Sequence, residues 1–322
     1  MNARLARLLA SLALLTPALA LAQAWPAKPV RIISTFAAGS AADTAIRATS
    51  QKVGEATGQS LVVDVQPGAG GMVGALAVAR AAPDGATLLF SELVANSIVG
   101  WIHKAPAYEP VRDFTPISQL FEGVLSLVAS LNTPFSTMKE VIDYARANPG
   151  KLAYGSNGVG AQNHLQMELI KQTLNLDITH VPYKGGTGAI PDVISGNVPL
   201  LFVAYGTALQ NQRAGKLKII GLVEAKRRAD LPDVPAIGED IPGFEKIPAA
   251  IVLMGPAKMP AGLPTRIHAE MVKAIALPEI RERLKQINFV APVSSPEQLT
   301  ELRNRVMVIV PKAIKAAGIQ PE

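Results

Sequence analysis

The stretch "RIISTFAAGSAADTAIR", residues 31–47, sets the pattern that the rest of the chain repeats. Its β-branched start reads as a strand, its Gly39-Ser40 pair as a turn and its remainder as a helix. Such a turn leaves backbone N–H groups free at a helix start, where the dipole is positive. The same grammar returns three times. "VDVQPGAGGMVGA" carries Gly68, Gly70, Gly71 and Gly74. "AYGSNGVGAQNH" carries Gly155, Ser156, Gly158 and Gly160, and "VPYKGGTGAI" carries Gly185, Gly186 and Gly188. Each follows an expected strand and opens an expected helix. Glycine permits positive φ and a close approach of backbone to a ligand. Four such turns in one chain therefore predict a cleft that binds an anion.

Strands are expected near 30–35, 60–65 and 86–91, and later at "KLAYGS", "ITHVPY", "VPLLFVA" and "KLKIIGLV". Helices fall between them, and two more close the chain near 264–276 and 296–316. This alternation implies α/β architecture with parallel sheets covered on both faces. The Gly-rich turns then lie at the carboxyl ends of strands, where ligands bind. Strand-like stretches at 114–131 and 249–257 read as two crossing strands, a hinge between two lobes that are each a sheet flanked by helices. The expected lobes are 25–124 with 255–322, and 125–254.

Residues 1–24 differ from the rest. Arg4 and Arg7 precede an apolar run from Leu8 to Leu21, and Ala20-Leu21-Ala22 and Ala22-Gln23-Ala24 are cleavage sites of A-x-A type. This reads as a secretory signal peptide. The run is short for a membrane span, and the chain has no Cys, so no lipid anchor and no disulfide is expected. A periplasmic protein follows. Removing the segment takes two of 31 basic residues and none of 25 acidic ones, leaving 29 − 25 = +4. That mild charge suits an anionic ligand; "AKRRAD" (225–230) reads as a solvated loop, and no nucleic-acid partner is expected. The four histidines, His103, His164, His180 and His268, have no H-x-x-x-H spacing, so no metal is expected. "PGAGGMVG" approaches a dinucleotide fingerprint, but its pattern from Gly68 requires glycine where Val73 stands. "YGSNG" is not G-x-S-x-G. Asp43 suits the first turn of a helix as well as a cleft. Glu92, if in the cleft, either rejects a second carboxylate or accepts an amine.

"WPAKPVRIISTFAAGSAAD", "QPGAGGMVGALAVARAAPDGATLLF", "YEPVRDFTPIS", "YGSNGVGAQNHL", "VPYKGG", "AGKLK" and "LPDVPAIGEDIPGFE" occur in this order along the chain. Together they resemble the Bug family, the substrate-binding receptors of tripartite tricarboxylate transporters. The resemblance implies a two-lobed periplasmic binding protein fold whose lobes close on a small carboxylate, partly through bridging waters, and a membrane transporter as partner. Carried over by motif, it implies ligand contacts at Phe36, Ala38, Gly39, Ser40 and Asp43 of the first lobe. In the second lobe it implies Ser156, Asn157, Gly160, Gln162, Tyr183, Gly185 and Gly186. It implies a monomer with no catalytic residue, no cofactor and no metal. Two alternatives remain: an exported α/β enzyme acting on a small anion, or a dinucleotide-binding protein using Gly68–Gly74. The chain departs from the family pattern at Ala37-Ala38-Gly39-Ser40, usually Pro-rich then Gly-Gly, and at "SELVANSIVGWIH" (91–103). Both stretches line the expected pocket.

Overall fold

The computed structural model describes residues 25–183 and 188–321. The expected signal segment, and Gly185 and Gly186 of the fourth turn, lie outside the described residues.

The opening unit follows from its pattern. Strand β1 (Val30–Ser34) leads to helix α1 (Ala41–Thr57), then β2 (Leu61–Val65), α2 (Met72–Ala79) and β3 (Thr87–Glu92). β1 pairs in parallel with both others, Ile32 lying opposite Val63 and Leu88. Helix α1 buries Ala42, Ala45, Ile46, Thr49 and Val53, one face at three- and four-residue spacing. Gly58, at φ +72°, ends it in the left-handed conformation that glycine adopts without strain. The helix packs onto Ile32, Leu88 and Phe90, each of which contributes about 1.5–3 kcal/mol by leaving water.

After β3 come two short helices, α3 (Leu93–Ser97) and α4 (Val99–Ile102), where the sequence suggested no element. Strands β4 (Phe114–Gly123) and β5 (Leu125–Ser130) follow, separated by Val124 alone. β4 joins the first sheet and β5 the second, so the chain changes lobes at Val124. The second lobe holds α5 (Met138–Ala147), β6 (Leu152–Ser156), α6 (Gln162–Leu174), β7 (Ile178–Pro182), α7 (Ile190–Ser195), β8 (Leu200–Ala204), α8 (Tyr205–Arg213) and β9 (Leu217–Leu222). The chain returns through residues 223–249 to β10 (Ala250–Pro256), α9 (Leu263–Ile275), α10 (Pro278–Gln286), β11 (Phe289–Val290) and α11 (Pro296–Ala316). β10 pairs with the first sheet from Ala250 onward. The expected boundary at 254/255 cuts this strand, and Ala250–Met254 sit with the first sheet instead.

Among the described residues the strands form two sheets, ordered β11-β4-β10-β3-β1-β2 and β7-β6-β8-β5-β9. Neither is purely parallel, which corrects the sequence reading. β10 is antiparallel to β3 and β4, and β5 is antiparallel to β8 and β9. The physical reason is the crossing. β4 runs toward the cleft and β5, its direct continuation, runs away from it. The strands around β5 end at the cleft, so the strand entering the lobe must oppose them. β10 does the same on the return.

Helix α6 joins the lobes. Its first nine residues, Gln162–Ile170, are all buried. Leu165 and Leu169 share one core cluster with Leu299, Val306 and Val310 of α11. At the crossing, Lys246 Nζ bridges Glu122 at 2.6 Å and Glu224 at 2.7 Å, from the ends of β4 and β9.

Candidate ligand-binding site

A cavity of about 750 Å³ opens between the two sheets. Its wall is made where strands end: Phe36 after β1, Glu92 at the end of β3 with Val94 just beyond it, Gly123–Leu125 at the crossing, Asn157 and Gly160 after β6, and Ala204 at the end of β8. The first three Gly-rich turns therefore meet as their pattern suggests, although unequally.

The first turn presents only Phe36 of the expected contacts, together with Ala41. Phe36 packs on Phe90 with ring centres 5.3 Å apart. Ala38, Gly39, Ser40 and Asp43 do not line the cavity, and their hydrogen bonds show why. Ser40 is the N-cap of α1, and its Oγ accepts from the Asp43 N–H at 3.2 Å. Asp43 Oδ2 accepts from the Gly39 N–H at 2.9 Å, and Arg47 Nε donates to the same carboxylate at 3.0 Å. Asp43 is only 4% exposed. Burial raises its pKa, but the bonds from Arg47 and Gly39 outweigh burial and leave it below the ordinary value. The anion at this helix start is the chain's own.

The third turn is built differently. Asn157 and Asn163 lock together: the Asn157 N–H donates to Asn163 Oδ1 at 3.2 Å, and Asn163 Nδ2 donates to Asn157 Oδ1 at 3.0 Å. The Gly160 N–H donates to His164 Nδ1 at 3.0 Å, and Gly160 holds φ +77°. Helix α6 then starts at an N-cap, Ala161, that has no side-chain acceptor. Asn157, Gly160, Ala161, Gln162 and Asn163 all line the cavity. Gln162 is fixed by its Nε2, which donates to the Ile247 carbonyl at 2.6 Å.

A second open helix start went unread in the sequence. α8 also begins at an alanine N-cap, Ala204, with no side-chain bond, and Ala204, Gly206 and Thr207 line the cavity. A start without Ser, Thr, Asp or Asn gives no sequence signal. Gly206 has a packing reason. A Cβ there would lie 1.8 Å from Nδ2 of Asn288, which reaches across from the first lobe.

Ser156 and Tyr183 lie apart from the cavity wall. Tyr183 donates its hydroxyl to Asp192 at 2.6 Å. Ser156, 0% exposed, hydrogen-bonds His180 Nε2 at 2.6 Å. The sequence offered no such serine–histidine pair, but Ser156 does not line the cavity. His180 stacks on His164 with ring centres 3.9 Å apart and on Tyr154 at 5.0 Å. Tyr154 and Lys171 both donate to Glu168 at 2.7 Å. Burial, then the neighbouring His180, lowers the His164 pKa to about 4. His164 is thus neutral and free to accept the Gly160 N–H. Among the described residues no group of His, Asp and Glu could hold a metal ion.

Glu92 faces the cavity, and burial raises its carboxyl to about 7. Gly70 and Met72 bring the second turn to the same space, while Gly74 lets α2 approach β1: a Cβ there would meet Gln66 O at 2.9 Å and Ile33 Cγ2 at 3.0 Å.

The model of the tripartite tricarboxylate transporter family receptors matches residues 45–315. A UPF0065 protein encoded in the tcbD–tcbE intergenic region of Pseudomonas sp. strain P51 is 34% identical over 283 residues, covering 87% of this chain and 83% of its own. Among solved structures, MatC from Rhodopseudomonas palustris with bound malate is 28% identical with a TM-score of 0.70, covering 91% of this chain and 100% of that one. An R. palustris protein with adipate is 26% identical with a TM-score of 0.77, covering 92% and 100%. The chain belongs to the receptor family of the tripartite tricarboxylate transporters.

Proposed function

We propose that this protein is a periplasmic receptor that closes its lobes on a small organic carboxylate and delivers it to a tripartite transporter in the membrane. One observation carries the reading: α6 and α8 both start at alanine N-caps without side-chain acceptors, and both starts open on the interlobe cavity. A carboxylate there accepts backbone N–H bonds at the positive ends of two helix dipoles. The relatives bound to malate and adipate support the ligand class. Of the contacts implied by the family resemblance, Phe36, Asn157, Gly160 and Gln162 belong to this grip, and Asp43, Ser40 and Gly39 shape the turn beside it. Export through residues 1–24 and action as a monomer complete the proposal.

The test is a melting screen and calorimetric titration over mono-, di- and tricarboxylates. A ligand at about 100 times its Kd adds about 2.7 kcal/mol of stability. A broad panel with no shift overturns the reading. Recovery of the acid chemically altered favours the enzyme alternative. A chain that retains Met1 and stays in the cytoplasmic fraction removes the export step.

A further inference from the structure

We infer that Glu92 makes this cavity select a carboxylate that also carries an ammonium group over a dicarboxylate. This rests on the carboxylate reading above and narrows it. Glu92 is the last residue of β3, and its backbone pairs with Ile251 of β10, so the sheet fixes its place. It stands at the N-cap of α3 but makes no capping bond. Among the described residues nothing hydrogen-bonds to its carboxyl, and no Lys or Arg lines the cavity, His103 being the one imidazole in its wall. Its neighbours in the wall include Phe36, Val94, Ile98 and Ile251. A carboxylate facing an apolar wall without a partner is costly, which is why burial lifts its pKa to about 7. A cation in the cavity removes that cost.

The opposite charge requirement lies in the second lobe, where the starts of α6 and α8 offer the N–H groups of Gln162, Asn163, Gly206 and Thr207, those of His164 and Tyr205 being taken by Asn163 Oδ1 and the Val124 carbonyl. A ligand with one carboxylate and one ammonium satisfies both sets and leaves no unpaired charge enclosed. A dicarboxylate adds a second anion to a space that already holds Glu92, and like charges there act as a filter against it. The rival reading has Glu92 protonated and donating to a second carboxylate, which would reverse the preference.

The experiment titrates the wild type and Glu92→Gln with matched probes. These are ω-amino acids from 3-aminopropanoate to 6-aminohexanoate, the common α-amino acids, and dicarboxylates from succinate to pimelate. The wild type is expected to bind at least one amine-bearing acid about tenfold or more tighter than the dicarboxylate of equal length. Glu92→Gln keeps the shape of the side chain, and its melting without ligand reports that it folds. It should shrink that preference by about tenfold or more. A wild type that prefers dicarboxylates, or a preference that ignores Glu92, overturns this assignment and leaves the carboxylate reading standing. Binding of no carboxylate by either protein removes both.

Discussion

The turns after β1 and β6 are written alike and behave oppositely. "FAAGSAAD" (36–43) and "NGVGAQN" (157–163) each carry glycine before a helix. In the first, Ser40 Oγ takes the Asp43 N–H, the Asp43 carboxylate takes the Gly39 N–H just ahead of the helix, and Arg47 balances the carboxylate. In the second, Ala161 takes up none, Asn163 Oδ1 takes the His164 N–H at 3.0 Å, and the asparagines and His164 brace the loop from behind. The glycines shape both loops. What differs is the charge: the first turn holds the Asp43 carboxylate, and residues 157–163 bring no carboxylate of their own.

The strongest test moves the carboxylate. Ala161→Asp gives the open turn an anion of its own, so ligand affinity should fall at least about a hundredfold, or about 2.8 kcal/mol. Helix α6 should become slightly more stable, as capping substitutions do. Titration and urea unfolding read the two effects, and undiminished affinity would show that the ligand does not use this helix start.

The converse change is Asp43→Asn. It weakens the bonds to Gly39 and Arg47 in a buried place, so stability should fall by roughly 1–3 kcal/mol. Ligand affinity should change less than about threefold. A larger loss of affinity than of stability would put Asp43 in the grip after all.

The bracing of the open turn should depend on pH. The folded pKa of His164 is lowered to about 4 from the ordinary 6.5 of a histidine. Between those values the unfolded chain takes up a proton that the folded chain refuses. The stability is therefore present above pH 6.5 and lost as pH falls toward 4, by at most about 1.4 kcal/mol per pH unit for this one group. Urea unfolding from about pH 7 to about pH 4.5 measures the slope, which His164→Gln should flatten. An unchanged slope would mean that His164 is not held neutral.

The smallest effect is expected at Ser40. Ser40→Ala removes the cap of α1 and should cost about 1 kcal/mol without altering ligand affinity. A Ser40→Ala protein that binds more tightly would reveal a competition between the serine and the ligand.

The strand–turn–helix rhythm was legible because β-branched runs and glycines are local signals. β1, α1 and α5, with its Thr137 capping box, stand where their residues placed them. The resemblance to the receptor family was legible for the same reason, since its motifs are short and ordered along the chain. The direction of β5 and β10 was not legible, because parallel and antiparallel strands share one apolar pattern and differ only in where the chain enters the sheet. Helix α8 was missed because Ala204 and Gly206 carry no start signal. Residue types could say that glycine-rich turns would gather around an anion. Tertiary contact alone assigned Asp43 to its own turn, stacked His164 on His180, and set Glu92 in a cavity lined, among the described residues, by no Lys or Arg. Charge and hydrogen-bonding capacity are properties of a residue, but whether they are already spent depends on neighbours that the chain brings from far along its length.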